Sequence, residues 1–292
     1  MLSRRLRLWA WLFLTPALLV YTGFWVFALA AGLGLGTVKW TGFGPMRFVG
    51  LHNIQALLRD PQFYNCLGRN LQYGLFHVTL GLGLSLATAL LLDRCRRGRL
   101  FFRTAIYVPV ILSWTVVAFL VRWLLSSSFG INAVLDSLGL GFLKANWLVD
   151  TRSLFYLIIA VGIWKSYPFA MVTFFAGLQN IPPELREAAY TDGADELRCT
   201  WYVVLPQLKP VLAVIVSLSL MDAFRIFEPI YVLAGTGPSV GNLDIDVLAT
   251  LLYRRAFGQL TLGDASALGF VLFVLTMAVS IFYLRTLGRT ED

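Results

Sequence analysis

Residues 184–206 read ELREAAYTDGADELRCTWYVVLP, a polar stretch with long apolar runs on both sides. Two prolines directly precede it, and proline is tolerated in the first turn of a helix. Glu184 and Glu187 fall in that first turn, where the helix dipole favours negative charge. Gly193 then interrupts the helix, since glycine readily adopts positive φ, and a second short helix follows until Pro206. The pattern predicts a helix–turn–helix elbow outside the bilayer, and a plain solvated loop between two membrane helices is the alternative interpretation.

The composition is typical of a membrane protein. Hydrophobic residues make up 58% of the 292 residues, charged residues make up 14%, and the mean hydropathy is +0.72. Soluble domains usually contain roughly 45–50% apolar residues. Runs of about 20 apolar residues recur along the chain, and this length crosses a hydrocarbon core of about 30 Å. The sequence therefore predicts an all-α, polytopic membrane protein.

Six apolar runs predict six transmembrane helices. Their approximate bounds are 8–36, 70–92, 104–125, 154–178, 211–234 and 265–284. The first run follows a basic start, as a signal peptide does, but it exceeds the usual signal core of about 7–15 residues, so we expect an uncleaved helix. We also expect a short interfacial helix at 53–58 and outer loops at 126–152 and 235–263.

The net charge of +8 raises the hypothesis of nucleic-acid binding. The basic residues, however, lie in short loops between apolar runs, and residues 93–99 form the most basic of these loops. The positive-inside rule assigns such a loop to the cytoplasmic side, which also places the elbow and both chain termini there. We therefore expect contact with a lipid bilayer and no nucleic-acid partner.

Three ionisable residues fall at membrane depth in the fifth predicted helix. Asp222, Arg225 and Glu228 are spaced i, i+3, i+6, so on a continuous helix they share a stripe and Arg225 can pair with both carboxylates. Asp222 follows Lys209 by a rise of roughly 20 Å at about 1.5 Å per residue, well inside the bilayer. Such groups cost at least ~2.5–3.5 kcal/mol each on insertion scales and are functional candidates.

The remaining candidates at this depth are Tyr231 on the same helix, Arg122 on the third helix, and Trp164 and Lys165 on the fourth. Together with the three charges they predict a hydrated substrate path. In such a path, carboxylates bond the hydroxyl groups of the solute, and aromatic rings lie against the faces of the solute. A structural salt-bridge cluster that holds the helices in register is the alternative. Packing is the favoured role of Trp164, and Arg122 can instead extend to the outer interface.

No catalytic constellation is visible in the sequence. It contains no G-x-x-x-x-G-K-[ST] loop, so it has no such route to hold ATP phosphates. The cysteines and histidines have no ligand-like spacing and are interpreted as packing or interface residues: Cys66, Cys95, Cys199, His52 and His77. We expect no enzymatic activity, no metal and no cofactor bound by this chain.

The order of residues in the elbow carries a family resemblance. Glu187-Ala188-Ala189, three residues, Gly193, nine residues, Val203, one residue and Leu205-Pro206 resembles the signature loop of bacterial ATP-binding-cassette (ABC) importer permeases. Segments elsewhere also resemble the carbohydrate-type permeases of this class, nearest the first permease of the maltose, trehalose and glycerol-phosphate importers: Gly50-Leu51-His52-Asn53, Trp164-Lys165, Ala176-Gly177-Leu178-Gln179 and the sequence DAFRIFEPIYVLAGTGP at 222–238.

The resemblance implies the type I ABC importer permease fold with a cytoplasmic coupling helix. In it, Glu187 meets a basic group of the ATPase subunit, Ala188 and Ala189 keep the contact face small, Gly193 permits the bend, and Leu205-Pro206 close the motif. It also implies an N-terminal part at 1–65, a permease domain at 66–285 and a cytoplasmic tail at 286–292.

The implied partners are a second permease, two ATP-binding subunits that use ATP and Mg²⁺, an extracytoplasmic solute-binding protein and a sugar, at a bacterial or archaeal plasma membrane. Glycerol phosphate is an alternative substrate, because Arg122, Lys165 and Arg225 could meet an anion. An ion-coupled secondary transporter or a membrane scaffold without transport is the alternative function. Whether the permeases form a heterodimer or a homodimer stays open.

Overall fold

The computed structural model describes residues 4–95, 97–126, 129–144, 147–148, 150–234 and 245–287. Within these ranges the chain is helical nearly throughout, and its only strands are a short antiparallel pair, β1 Val38–Lys39 and β2 Arg47–Phe48. The predicted tail at 286–292 begins inside the last helix, and its residues 288–292 lie outside the described ranges, as do residues 235–244 of the third outer loop.

Fifteen α-helices occur in the described part of the chain. In chain order they are α1 Arg4–Tyr21, α2 Phe27–Leu35, α3 His52–Arg59, α4 Pro61–Arg94, α5 Arg99–Ile111, α6 Trp114–Leu124, α7 Gly130–Ser137, α8 Thr151–Gln179, α9 Pro183–Thr191, α10 Glu196–Cys199, α11 Leu205–Gln207, α12 Lys209–Arg225, α13 Glu228–Leu233, α14 Leu248–Tyr253 and α15 Leu262–Leu287. π-Helical turns join some of them, at Thr22–Val26, Thr200–Val204 and Arg254–Gly258, and a 3-10 turn occupies Gly141–Leu143.

Four helical segments are long and apolar enough to cross a membrane: Trp9–Leu35, Pro61–Arg94, Thr151–Gln179 and Leu262–Ile281. Two further pairs qualify as bent spans, α5 with α6 at 92° and Glu196–Gln207 with α12 at 69°. Counting each bent pair as one span gives six crossings, the number that the apolar runs predict. The prediction of an all-α, polytopic membrane protein is confirmed.

The third predicted helix, at 104–125, is wrong as a single helix. Leu112 and Ser113 are extended, and the chain turns by 92° between α5 and α6. Ser113 begins the new helix as its N-cap, because its side chain accepts a hydrogen bond from the N–H of Val116.

The fifth predicted helix, at 211–234, is also interrupted. α12 ends at Arg225 and α13 begins at Glu228, with Ile226 between them at ψ 122°. Pro229 explains the position of this break, because a proline ring inside a helix clashes with the carbonyl of the residue four positions earlier, here Arg225. The i, i+3, i+6 stripe assumed for Asp222, Arg225 and Glu228 therefore does not exist on one helix.

One compact unit comprises residues 1–63 and 252–274. Within it, residues 9–31 of the first span are exposed on all sides. The buried Asn53 side chain donates to the carbonyls of Gly36 and Val38, both at 2.9 Å. Its helix, α3, confirms the short helix predicted at 53–58, and its interfacial position stays a prediction. The β1–β2 pair and α14 were not predicted.

The second unit comprises residues 64–251 and 275–292 and contains two buried apolar clusters. The first, here called the upper cluster, joins α4, α6, α8, α12, α13 and the segment before α14. The second, the lower cluster, joins the ends of α4 and α8 to the elbow and to α12, through residues such as Leu92, Phe174, Val204 and Ile215. The elbow thus packs against three long helices, α4, α8 and α12, and not only against the two that it connects in the chain.

Candidate functional site

A cavity of about 480 Å³ lies in the second unit, where the two apolar clusters meet. Its walls come from α4, α5, α6, α8, α12 and α13. Four of the seven predicted path residues line it: Lys165, Asp222, Arg225 and Glu228. Aromatic side chains line it as well, among them Tyr73, Trp114, Tyr167 and Phe169. Aromatic faces beside a few charged groups are a suitable surface for a polar, partly apolar solute.

Asp222 and Arg225 stand at the end of α12, and Glu228 stands at the start of α13 across the break. All three residues are exposed, and all three line the cavity. Among the ion pairs of the described residues, none joins Arg225 to either carboxylate within 4 Å, so the predicted mutual pairing is not formed. The three charged residues therefore line the same cavity without forming an ion pair with one another.

Lys165 has a different environment from the other charges. It is buried, and its Nζ lies 3.4 Å from the carbonyl oxygen of Pro109 and 3.3 Å from that of Val110. It also lies 5.2 Å from the centroid of the Trp114 ring. These carbonyls belong to the last turn of α5, whose acceptors have no partner within the helix. Lys165 therefore holds together the two sides of the bend between α5 and α6.

His77 belongs to the cavity wall, which the sequence interpretation of this residue missed. Its Nε2 lies 2.8 Å from the hydroxyl of Ser166, and its ring stacks on Tyr73 with centroids 5.2 Å apart. Gly162 allows this packing, because a β-carbon there would collide with the Tyr73 hydroxyl. A signal was present in the sequence: Tyr73, His77, Gly81 and Ser85 recur every four residues, which places them on one face of α4.

Three predicted path residues do not line the cavity. Trp164 is 46% exposed beside Lys165, and Tyr231 stacks on Phe227 with ring centroids 5.1 Å apart. Arg122 donates from Nη1 to the carbonyl of Val232 at 3.0 Å. This hydrogen bond joins α6 to α13. Arg122 therefore neither lines the cavity nor extends freely from α6.

The elbow is formed by α9, a turn at Gly193 and the helical segment from α10 to α11. Gly193 has φ +84°, the left-handed conformation that the sequence predicts for it. Asp195 caps α10, since its carboxylate accepts from the N–H of Arg198 at 2.7 Å. The second arm does not stop at Pro206, because α11 includes this residue and extends to Gln207.

The outer face of the elbow is exposed and partly apolar. Glu187 and Ala188 are exposed, whereas Ala189 is half-buried against the lower cluster. The exposed face also carries large apolar side chains, namely Tyr190, Leu197, Trp201 and Tyr202. Several large apolar side chains exposed within one short polar segment are consistent with a surface that binds another protein.

The family model described as "Binding-protein-dependent transport system inner membrane component" matches residues 80–288. The chain is 30% identical to the multiple sugar-binding transport system permease protein MsmF of Streptococcus mutans serotype c, over 97% of this chain and 96% of that protein. It is 35% identical to the trehalose/maltose transport system permease protein MalF of Thermococcus litoralis, over 83% of this chain and 80% of that protein.

A crystal structure of a bacterial ABC transporter involved in the import of the acidic polysaccharide alginate contains a chain with the same fold. The TM-score is 0.83 at 23% sequence identity, covering 98% of this chain and 100% of that one. At this identity the likeness establishes the fold, which is the type I importer permease fold that the signature loop implies. The sequence matches and the fold together show that this chain belongs to the family of inner membrane components of binding-protein-dependent transport systems, the permease subunits of ABC importers.

Proposed function

We propose that the chain is one of two different permease subunits of an ATP-driven importer of a disaccharide or oligosaccharide. Two separate ATPase subunits hydrolyse ATP with Mg²⁺, and an extracytoplasmic binding protein delivers the sugar. This chain has no ATPase activity and binds no cofactor. The elbow, both termini and the 286–292 tail lie on the cytoplasmic side of a bacterial or archaeal plasma membrane, and the permease domain at 66–285 follows an N-terminal part at 1–65.

The observation that carries the proposal is the exposed elbow, packed through the lower cluster onto the helices that form the cavity. Glu187, Ala188 and the exposed aromatic side chains form its outer face, and we assign the ATPase contact to this face. Gly193, Leu205 and Pro206 give the elbow its shape. A neighbour that pushes on the elbow moves α8 and α12 directly, because the elbow connects these two helices in the chain.

The cavity supports a second permease as partner. Asp222, Arg225 and Glu228 line it and are exposed, and a charge exposed to lipid costs at least ~2.5–3.5 kcal/mol. A covering subunit removes this penalty and completes a water-filled path. Half of the path then comes from each permease, and a heterodimer agrees with the resemblance to the first permease of a pair.

A neutral sugar agrees with the cavity better than glycerol phosphate does. The anion hypothesis needs Arg122, Lys165 and Arg225, but Arg122 donates to the carbonyl of Val232 and Lys165 to the carbonyls at the end of α5. Arg225 is left to face two carboxylates across the same cavity. The two relatives named above are described as sugar transport permeases, in line with this choice.

Co-purification tests the function. The chain is expressed with its partner permease and ATPase subunits, and the amount of ATPase retained is compared for Glu187→Arg and for Glu184→Arg, a matched charge reversal on the same helix outside the E-A-A motif. Losing one partner of a buried interfacial charge pair costs about 2–5 kcal/mol, so Glu187→Arg should reduce ATPase retention more than tenfold.

Two outcomes contradict the proposal. One is full ATPase retention by Glu187→Arg. The other is solute uptake by a reconstituted system that lacks the ATPase, which supports the ion-coupled alternative instead.

A further inference from the structure

The C-terminal end of α4 contacts both arms of the elbow. Asp93 forms an ion pair with Arg186 of α9 at 2.8 Å, and Arg94 forms one with Glu196 of α10 at 2.8 Å. The first pair is largely shielded from solvent, with side-chain exposures of 28% for Arg186 and 19% for Asp93. The second is more exposed, so the first pair carries most of the restraint.

Arg186 joins three elements rather than two. Besides Asp93, it reaches the carbonyl of Leu178 in the last turn of α8, with Nη2 at 3.5 Å. Arg99, at the start of α5, donates to the carbonyls of Asp93 and Cys95 at 2.7 and 2.9 Å and lies over the ring of Phe175. The basic loop at 93–99 is therefore fixed to α8 and to the elbow.

The same helix forms one wall of the cavity. Tyr73, His77, Gly81 and Ser85 of α4 line it. Ser85 lies eight residues before Asp93, or about 12 Å along a helix that rises about 1.5 Å per residue. No proline interrupts α4 between Gln62 and Arg94, so this segment can transmit a displacement as one body.

We propose that α4, in addition to α8 and α12, transmits movement of the elbow to the cavity. The Asp93–Arg186 and Arg94–Glu196 ion pairs join α4 to the elbow. Movement of the elbow then shifts the cavity wall that Tyr73, His77 and Ser85 of α4 form. This inference rests on the proposed function, in which an ATPase moves the elbow. Asp93 and Arg186 are positioning residues: they touch neither solute nor nucleotide, and they couple the elbow to one wall of the path.

The test uses the assembled importer with its ATPase subunits, and one cysteine reporter is placed on α4 and another on α8. Gly81→Cys reports on α4, since no atom lies within 4 Å of a β-carbon there, and Phe169→Cys reports on α8, where this exposed side chain lines the same cavity. Maleimide labelling at each reporter is quantified by mass spectrometry, without nucleotide and with ATP trapped by vanadate. In the parent, we expect the labelling rate at both reporters to change by about fivefold or more, the lower range of typical coupling strengths.

Arg186→Gln combined with Glu196→Gln should strongly reduce the nucleotide response at residue 81 while residue 169 keeps it, because α8 remains joined to the elbow by the chain. Arg97→Gln is the matched control, since this arginine is exposed in the same loop and its side chain has no hydrogen bond or ion pair among the described residues. A second variant exchanges the charges of the pair, Asp93→Arg with Arg186→Asp. It should keep the response at residue 81, because an ion pair can still form between α4 and α9.

An unchanged response at residue 81 in the double variant overturns the inference and leaves the proposed function intact. Loss of the response at both reporters in the double variant also overturns it, because a general structural defect then explains the effect. Absence of any response at both reporters in the parent contradicts the proposed function and, with it, the inference.

Discussion

At the residue scale, the cavity is lined by three charged side chains that form no ion pair with one another. Asp222, Arg225 and Glu228 line it, and no ion pair of 4 Å or less joins them among the described residues. Such groups are costly at membrane depth, so a purely structural role requires that they bond to each other or to neighbouring helices. Their separation favours a role in binding solute and water.

We therefore expect Asp222→Ala or Arg225→Ala to abolish sugar uptake while the complex still assembles. Uptake is measured in cells or vesicles, and assembly by co-purification of the ATPase subunits in detergent. Arg59→Ala is a suitable control, because Arg59 is an exposed charge at the end of α3. Loss of the assembled complex in the Asp222 or Arg225 variant would support the structural interpretation instead.

Individual site residues were predicted unevenly. Charges in an apolar run are conspicuous in a sequence, and Lys165, Asp222, Arg225 and Glu228 all line the cavity. His77 was missed because it has no ligand-like neighbours, and its four-residue spacing with Tyr73, Gly81 and Ser85 was not used. Its position depends on Ser166, 89 residues away, whose hydroxyl meets its ring nitrogen. The contact of Arg122 with a backbone carbonyl of α13 is equally invisible to local patterns.

At the element scale, prolines mark the breaks only in context. Pro229 ends one helix and begins the next, whereas Pro168 lies inside the continuous helix α8. Both prolines are buried and each removes one backbone hydrogen bond, so neither burial nor the proline alone predicts which helix is broken. Helix existence and order were predictable from hydropathy, whereas local patterns indicated neither the 92° bend between α5 and α6 nor which of these two prolines breaks its helix.

The start of α8 has a pH-dependent cap. The hydroxyl and backbone N–H of Ser153 donate to the Asp150 carboxylate and hold the pKa of Asp150 below its ordinary value of 3.8. Because the folded-state pKa is lowered, the charged cap stabilises the helix fully above pH 3.8 and loses this effect as the pH falls through the lower, folded-state value.

We expect the protection of the Ser153 amide against hydrogen exchange to decrease over that acidic range, measured by mass spectrometry on overlapping peptides. Asp150→Asn should keep the cap, because asparagine is also a good N-cap residue, but should remove its dependence on pH. Equal pH dependence in both proteins contradicts the assignment of the effect to this carboxylate.

At the scale of the whole molecule, the charge pattern predicts the orientation of the chain. The basic loop at 93–99 and the elbow are joined by ion pairs, so they lie on the same side of the membrane. The positive-inside rule predicts that this side is cytoplasmic. The loop that contains α7 should then lie outside, because one span, α8, separates it from the elbow.

Labelling with a membrane-impermeant maleimide checks this orientation. In intact cells we expect Leu138→Cys to react and Arg97→Cys to remain unlabelled, and in inside-out vesicles we expect the reverse. Both positions are exposed in the structure, so differences in burial do not produce the pattern. The opposite result would place the elbow outside, where no ATPase could reach it.

Local patterns could not predict which segments of the chain form the first compact unit. It combines residues 1–63 with 252–274, and the ion pair between Asp60 and Arg255 joins positions 195 residues apart in the chain. Apolar periodicity identifies each helix but not its neighbour. The predicted division at residues 65 and 285 follows the resemblance and stays a prediction.

The interruption of the chain at Ile226 and Phe227 has a consequence for the hydration of the solute. Peptide groups that leave a helix at membrane depth cost several kcal/mol each in hydrocarbon and are tolerated only beside protein or water. Here they border the cavity, which Ile226, Glu228 and Pro229 line. Unwound backbone at this depth offers amide dipoles that can substitute for water on a passing hydroxyl group. For the proposed sugar substrate, these amide groups would replace part of the hydration that is lost on entry, which lowers the desolvation barrier along the path.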